Sequence, residues 1–333
     1  MSSPGWGRPT LGPERLRDVV LAAYAVDLVV LEPVAAGADA SARTWRGSDA
    51  SGAGWAVRET TGAGSAGPAV AAAVGADGVP VPRRTFDGGL VVDADGARVT
   101  VVPWVEGRSA LEADPSPGQW AAFGRLLAAV HATDPATVGV ELPRDGHDGA
   151  DVAGLVAAAD AARVGVVDRI GYEAAEIWVT ARARVEAVLD GVRRTGADGA
   201  RDLLLCHGDP HRGNLVLDDD GEHLWLLDWD DAVLSWRERD LLMVVGGLPG
   251  FSTVSPEQLR WFEEGYGPLD VDPVRLAHHR GVRALEDVGL FTSDALDRSR
   301  TDDERAWALD LVRAHLRPDG ILALAERTFA SST

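Results

Sequence analysis

The chain has 333 residues, 46% apolar and 25% charged, ordinary proportions for a globular protein and enough to bury a sizeable core without disulfide staples. All 32 of its basic residues are arginine, set against 52 acids; the formal charge of −20 disfavours nucleic acid and anionic membrane as partners and suits a cationic small molecule. One cysteine, Cys206, excludes an intramolecular disulfide framework, and the length predicts about two domains at ~150 residues each.

Met1 to Thr10, polar with Gly and Pro, lacks the charged-then-apolar pattern of a signal peptide. Val19 to Leu31, broken by Asp27, is shorter than the about 20 residues a membrane span needs, so a soluble, cytoplasmic protein is expected. Pro13 to Ala25 reads as a helix with Leu16, Val19, Val20 and Ala23 on one face, and β-branched Leu28 to Val34 reads as a strand. After the small residues Gly37 to Ala42, strands are expected at Arg43–Arg46 and Trp55–Glu59, joined by a Gly/Ser-rich turn into a hairpin. Pro68 to Ala76 is an alanine-rich helix, and short strands are expected at Gly89–Val92 and Arg98–Val102.

The pattern changes after Pro103-Trp104-Val105-Glu106-Gly107. Ser116-Pro117-Gly118-Gln119 has the form of a capping box, followed by Trp120, Phe123, Leu127 and Val130 striping one helix face. Helical periodicity returns at Tyr172–Leu189, Pro256–Gly265, Pro273–Leu290 and Asp302–Leu316, with a strand-rich insert around 203–228. The fold class is therefore α+β: a small antiparallel β lobe over 1–102, a hinge at 103–107 and a larger, mainly helical lobe over 108–333.

The insert carries the chemistry. Apolar strands at 215–217 and 223–227 flank an Asp-Asp-Asp-Gly turn, a strong hairpin signal. Folding about residues 219–220 pairs positions whose numbers sum to about 440, which sets Asn214 opposite the end of the second strand and returns Asp228 beside the loop carrying Asp209. Two carboxylates and an amide at one sheet rim suit phosphoryl transfer, which asks mainly for positioning and charge neutralisation. Asp209 would accept the proton of an attacking hydroxyl; Asn214 and Asp228 are hard oxygen ligands for Mg²⁺. The spacing His207-Gly208-Asp209 to Asn214 matches the catalytic loop of kinases.

These residues resemble the aminoglycoside phosphotransferases, which share the protein-kinase fold, and resemble most the spectinomycin phosphotransferase branch. The likeness runs through Gly37-Ala38-Asp39, Trp55-Ala56-Val57-Arg58, Val102-Pro103-Trp104-Val105-Glu106-Gly107, the catalytic segment, Glu238-Arg239-Asp240-Leu241-Leu242-Met243 and Glu264-Gly265-Tyr266-Gly267. It implies a bilobal kinase-like fold and an ATP- or GTP-dependent, Mg²⁺-dependent transfer to a hydroxyl of a cationic aminocyclitol or aminoglycoside antibiotic. It implies that backbone near Val101–Trp104, including Val102 and Trp104, takes the base, and that Gly37 to Thr44, with Gly37 and Ser41, covers the phosphates. His207 would be a structural part of the loop, Asp240 an internal acceptor steadying it, and Asp230 a supporting acid at the metal. The family's phosphate-gripping lysine is Arg58 here, and its usual partner, a glutamate on the next helix, has no counterpart in Pro68 to Ala76.

Other readings accompany this one. A kinase of choline, another amino alcohol, a sugar or another metabolite would keep the fold and change the acceptor, and Arg58 with the missing helix acid motivates a nucleotide-binding pseudokinase. The alternation of His207, Asp209 and His211 also suits a metallohydrolase, although Gly208 and Pro210 break the strand that would aim all three one way. Asp231, Glu263, Glu264, Glu286 and Asp287 are candidates for holding substrate ammonium groups.

Overall fold

A computed structural model describes residues 11–34, 42–61, 66–196, 201–248 and 252–331. Gly37 and Ser41, expected over the phosphates, lie outside the described residues, as does Met1 to Thr10. The chain divides into two compact units, Met1–Pro143 with His207–Val233 and Arg260–Gly267, and Arg144–Cys206 with Leu234–Leu259 and Pro268–Thr333.

The first unit opens with helix α1 (Pro13–Tyr24), which lays Leu16, Val19, Val20 and Tyr24 against a five-stranded antiparallel sheet. The strands are β1 (Leu28–Pro33), β2 (Ala42–Asp49), β3 (Gly54–Thr60), β4 (Val92–Ala94) and β5 (Ala97–Pro103), in the order β1-β2-β3-β5-β4. Trp45, Val57, Val99 and Val101 complete this core. The strand period of two decides what the site receives from β3. Val57 and Glu59 are buried, whereas Ala56 and Arg58 are half-buried and project from the other face. Glu59 accepts a hydrogen bond from the Leu11 N–H at 2.8 Å, so this core-facing acid has a partner.

One expected strand is displaced. Gly89–Val92 pairs with nothing as a unit; the strand is Val92–Ala94, with Ala94 opposite Ala97. Asp95 and Gly96 take φ of 52° and 85°, the left-handed pair of a two-residue hairpin turn, and that turn sets the register. Helix α2 (Gly67–Val74) ends two residues before the expected Ala76, because Gly75 closes it in the left-handed conformation.

After a two-residue strand β6 (Arg108–Ser109), helix α3 (Pro117–Ala132) begins at the expected capping box, with Ser116 and Gln119 satisfying each other's backbone N–H groups. Trp120, Phe123, Leu127 and Val130 are buried, as the stripe requires.

In the second unit, α4 (Ala150–Ala162), α5 (Arg169–Thr195), α8 (Pro273–Leu296) and α10 (Ile321–Ala330) enclose one apolar core, and α5 and α8 share a smaller cluster with α9 (Asp302–Leu316). Helix α5 exceeds its expected span at both ends; Asp168 caps it by accepting from Gly171 N–H, and Trp178, Ala181, Val185, Val188 and Val192 continue one buried face. Short elements complete the list: β7 (Leu204–Cys206), β8 (Leu215–Leu217), β9 (Leu224–Leu226), β10 (Val233–Ser235), α6 (Glu238–Leu241), β11 (Gly247–Leu248), β12 (Ser252–Thr253) and α7 (Pro256–Tyr266). Among the described residues no helix is long and apolar enough to cross a membrane.

Candidate active site

The catalytic segment forms the expected hairpin, in the expected register. Leu215 faces Leu226, Val216 faces Trp225 and Leu217 faces Leu224, each pair summing to 441. Asp220 makes the turn by accepting from the N–H groups of Glu222 and His223, while Gln119 on α3 donates to the carbonyls of Asp218 and His223. One buried amide therefore fastens both shoulders of the hairpin to α3.

At the open end, Leu227 N–H donates to Asn214 O at 2.8 Å, so Asn214 sits beside the strand that leads into Asp228. His207 completes the frame. Its Nε2–H donates to Leu227 O at 3.0 Å, its Nδ1 accepts from Asp209 N–H at 3.3 Å, and these partners define the neutral tautomer. The ring is fully buried and packs edge-on to Trp229 at 4.7 Å. His207 thus links the loop carrying Asp209 to Leu227, the residue before Asp228.

Asn214 donates its amide N–H to Asp209 O at 2.9 Å, which leaves its amide oxygen as the outward acceptor. Asp228 adopts φ of 60°, a left-handed conformation uncommon for a residue with a Cβ and typical of positions held for function. With its half-exposed carboxylate, these are oxygen donors that fit a hard divalent cation.

His211 adds something the sequence did not disclose. Its Nδ1 accepts from Gly213 N–H at 2.9 Å, capping the short turn at Arg212–Asn214, so Nε2 carries the proton and faces Asp209 Oδ2 at 3.4 Å. Arg212 ties the same turn to Ala110 O, Ala113 O and the Asp114 carboxylate. His207 and His211 therefore do not aim at one point with Asp209, and the metallohydrolase arrangement is not formed.

Arg58 projects from β3 onto two acids. Its Nη2 lies 2.5 Å from Asp230 Oδ2 and its Nη1 3.2 Å from Asp228 Oδ1. Helix α2 carries no acid, and the acids that meet Arg58 follow β9 instead. Gly67, at the start of α2, packs so closely on the chain after β9 that a Cβ there would lie 2.7 Å from Trp229 O. Asp230, expected to support the metal, pairs with Arg58 in this structure.

The remaining expected residues fall as follows. Val102 lies on β5 opposite Ala56, and Trp104 N–H donates to Gly54 O at 2.9 Å while Arg46 stacks on the indole at 4.7 Å. Asp240 is fully buried on α6 in the second unit. Of the acids proposed for ammonium groups, Asp231 and Glu264 are exposed, Asp287 is buried against Arg283 at 3.0 Å, and Glu286 lies 3.8 Å from Arg239. Clefts of ≈ 410 and ≈ 710 Å³ in the first unit are lined by other residues, around Ala76 and Glu222 and around Pro68 and Val140.

Gly208 is the most demanding backbone position in the loop. It takes φ of 92°, and a Cβ would stand 2.0 Å from Asp231 O. Gly208→Ala is expected to cost about 2 kcal/mol or more, from left-handed strain and a backbone clash. Turnover should fall with it; thermal unfolding and initial rates check this, and a native melting temperature would contradict the account.

A sequence model described as the phosphotransferase enzyme family matches residues 68–285, a span containing Asp209, Asn214, Asp228 and Asp230. No curated protein matches the chain. Among solved structures, spectinomycin phosphotransferase APH(9)-Ia in complex with ADP and spectinomycin is 20% identical, over 96% of this chain and 99% of that one, with a TM-score of 0.81. The amicoumacin kinase hAmiN, in complex with AMP-PNP, Ca²⁺ and Ami, is 16% identical over 97% and 98%, with a TM-score of 0.62. Macrolide 2′-phosphotransferase MphH from Brachybacterium faecium is 17% identical over 90% and 97%, with a TM-score of 0.56. At these identities the likenesses establish the fold, α+β and kinase-like.

Proposed function

Since this chain belongs to the phosphotransferase enzyme family, we propose that it transfers the γ-phosphate of ATP to a hydroxyl of a cationic aminocyclitol antibiotic of the spectinomycin class. The observation that supports this most is the hydrogen-bonded frame around Leu227, which joins His207, Asp209 and Asn214 to the residue before Asp228. A frame of that kind holds a base and two oxygen ligands in fixed relation, which is the requirement of phosphoryl transfer. The solved structure of APH(9)-Ia, which carries ADP and spectinomycin, supports the nucleotide and the acceptor class.

In this reading residues 1–102 bind the nucleotide, 103–107 form the hinge and 108–333 carry the acceptor. Asp209 accepts the hydroxyl proton as the bond to phosphorus forms, and the Nε2–H of His211 orients its carboxylate. Asn214 and Asp228 would hold Mg²⁺, which when bound neutralises phosphate charge and orients the triphosphate. Arg58 supplies a permanent cation to the α and β phosphates, and Val102 and Trp104 lie beside the base. The net charge of −20 favours approach of a polyamine acceptor.

An acceptor panel tests this: spectinomycin, several aminoglycosides, choline, amino alcohols and sugars, read by ADP release and by the mass of an added phosphate. Phosphorylation of spectinomycin is expected. Turnover on a metabolite alone would move the acceptor, and nucleotide binding with no ADP from any acceptor would favour the pseudokinase.

Arg58 bears on that last alternative. Its ion pair with Asp230 gives the chain an arginine clamp with its own acid, so Asp230→Ala is expected to raise the KM for ATP about tenfold by unfixing the guanidinium. In the Arg58→Ala background the same change should cost little more, a non-additivity read from steady-state kinetics. Full additivity of the two substitutions would separate Asp230 from Arg58.

A further inference from the structure

We propose that the second unit contains a binding site for a divalent transition metal of the zinc class, formed by Asp145, His147 and His279. One ligand atom from each residue lies within 4.8 Å of the others. His147 comes from the segment ahead of α4, where it takes φ of 55°, and His279 comes from α8. Both are almost wholly buried, 4% and 1% exposed.

The hydrogen bonding of these rings is the main argument. Among the described residues no hydrogen bond of good geometry reaches either ring nitrogen of His147, whose ring lies close to the Asp145 main chain, or Nδ1 of His279. Buried polar atoms are almost always paired, and a single ion would take one nitrogen from each ring beside the Asp145 carboxylate. The nearest aromatic groups do not supply a partner instead. The Trp236 ring lies 3.8 Å from that of His147, but its indole N–H donates to Arg201 O at 2.9 Å, and His278 is engaged through Nδ1 with Val192 O and Thr195 Oγ1, each at 3.2 Å.

The surrounding groups prepare two of the ligands. Ser235 Oγ donates to Asp145 Oδ2 at 2.5 Å and lies 3.4 Å from His279 Nε2, so the hydroxyl accepts from an Nε2–H and leaves the lone pair on Nδ1. Arg239 contacts the Asp145 carboxylate at 3.3 and 3.4 Å, with its charge shared by Glu286 at 3.8 Å. Outer hydrogen bonds of this type fix tautomer and orientation in metal centres.

Two imidazole nitrogens and one carboxylate form a borderline donor set, suited to zinc and poorly suited to magnesium or calcium, which prefer all-oxygen shells. Solvent would occupy the fourth position of a tetrahedral ion. The ion would fasten the segment ahead of α4 to α8, so its binding should register as stability of the fold.

The full chain, stripped with chelator and freed of nucleotide and magnesium, is titrated with Zn²⁺ by calorimetry and thermal unfolding, and with Co²⁺ by visible absorption. The expected result is one zinc per chain, a higher melting temperature and the ligand-field bands of tetrahedral Co²⁺. His147→Asn, which tolerates the left-handed backbone, should weaken zinc binding by at least about tenfold and remove the bands, since even outer-shell partners are worth that much. Asp145→Asn carries the same test if His147→Asn does not fold. His223→Ala, on an exposed histidine paired with Asp220, should leave binding unchanged. No binding by the full chain, equal binding by the Asp145 and His147 variants, or loss in His223→Ala would each overturn the proposal.

Discussion

Asp209→Asn is expected to lower kcat by about 10²–10⁴, the range a positioned general base contributes, while ATP affinity stays within a few-fold. The substitution keeps the shape of the side chain and the main-chain bonds that build the loop. Asp209 O still accepts from Asn214, Asp209 N–H still donates to His207 Nδ1, and His211 still caps its turn on Gly213. What disappears is the capacity to take up the acceptor's proton. Single-turnover rates with saturating ATP and acceptor, beside nucleotide binding by calorimetry, separate the two quantities. Native turnover by Asp209→Asn, with the fold intact by thermal unfolding, would remove the base from this residue.

Asp228→Asn should be the other severe change, with kcat down about 10³-fold, corresponding to several kcal/mol of lost charge stabilisation. Asparagine is the informative replacement because it tolerates φ near 60°, so the left-handed bend before Trp229 survives. The amide gives up the charge that would hold the divalent cation and that now faces Arg58 at 3.2 Å. The magnesium concentration for half-maximal rate should therefore rise by at least about tenfold. A variant with an unchanged magnesium requirement and near-native kcat would show that Asp228 is not a metal ligand.

The hairpin that carries Asp228 and the arginine that meets it differ in how far the sequence could place them. The β8–β9 hairpin was legible because its information is local: short apolar runs flank Asp218-Asp219-Asp220-Gly221, and turn chemistry sets the register. Arg58 with Asp228 and Asp230 was not, since the partners lie about 170 residues apart and pairing depends on how α2 packs against Trp229. His211 was ambiguous for another reason. A histidine two residues from an acid can be a ligand, a cap or an orienting donor, and only the Gly213 N–H contact resolves its tautomer. Helices α4 and α10 went unpredicted, and in α4 alanine and valine dominate so evenly that the apolar face has no polar contrast. The misplaced strand at Val92–Ala94 reflects a different oversight, because Asp95-Gly96 is itself a hairpin signal.

The arginine on β3 also has a practical consequence for chemical probes. Nucleotide analogues that attach covalently to kinases through an acyl phosphate or aldehyde warhead need a side-chain amine near the triphosphate, and this chain contains no lysine. A guanidinium, overwhelmingly protonated in the range in which proteins remain folded, is a poor nucleophile toward these groups. Probes of that kind should dissociate from this protein unchanged while labelling proteins that keep the amine, and a dicarbonyl reagent, which traps a guanidine as a cyclic adduct, is the appropriate tool for marking Arg58.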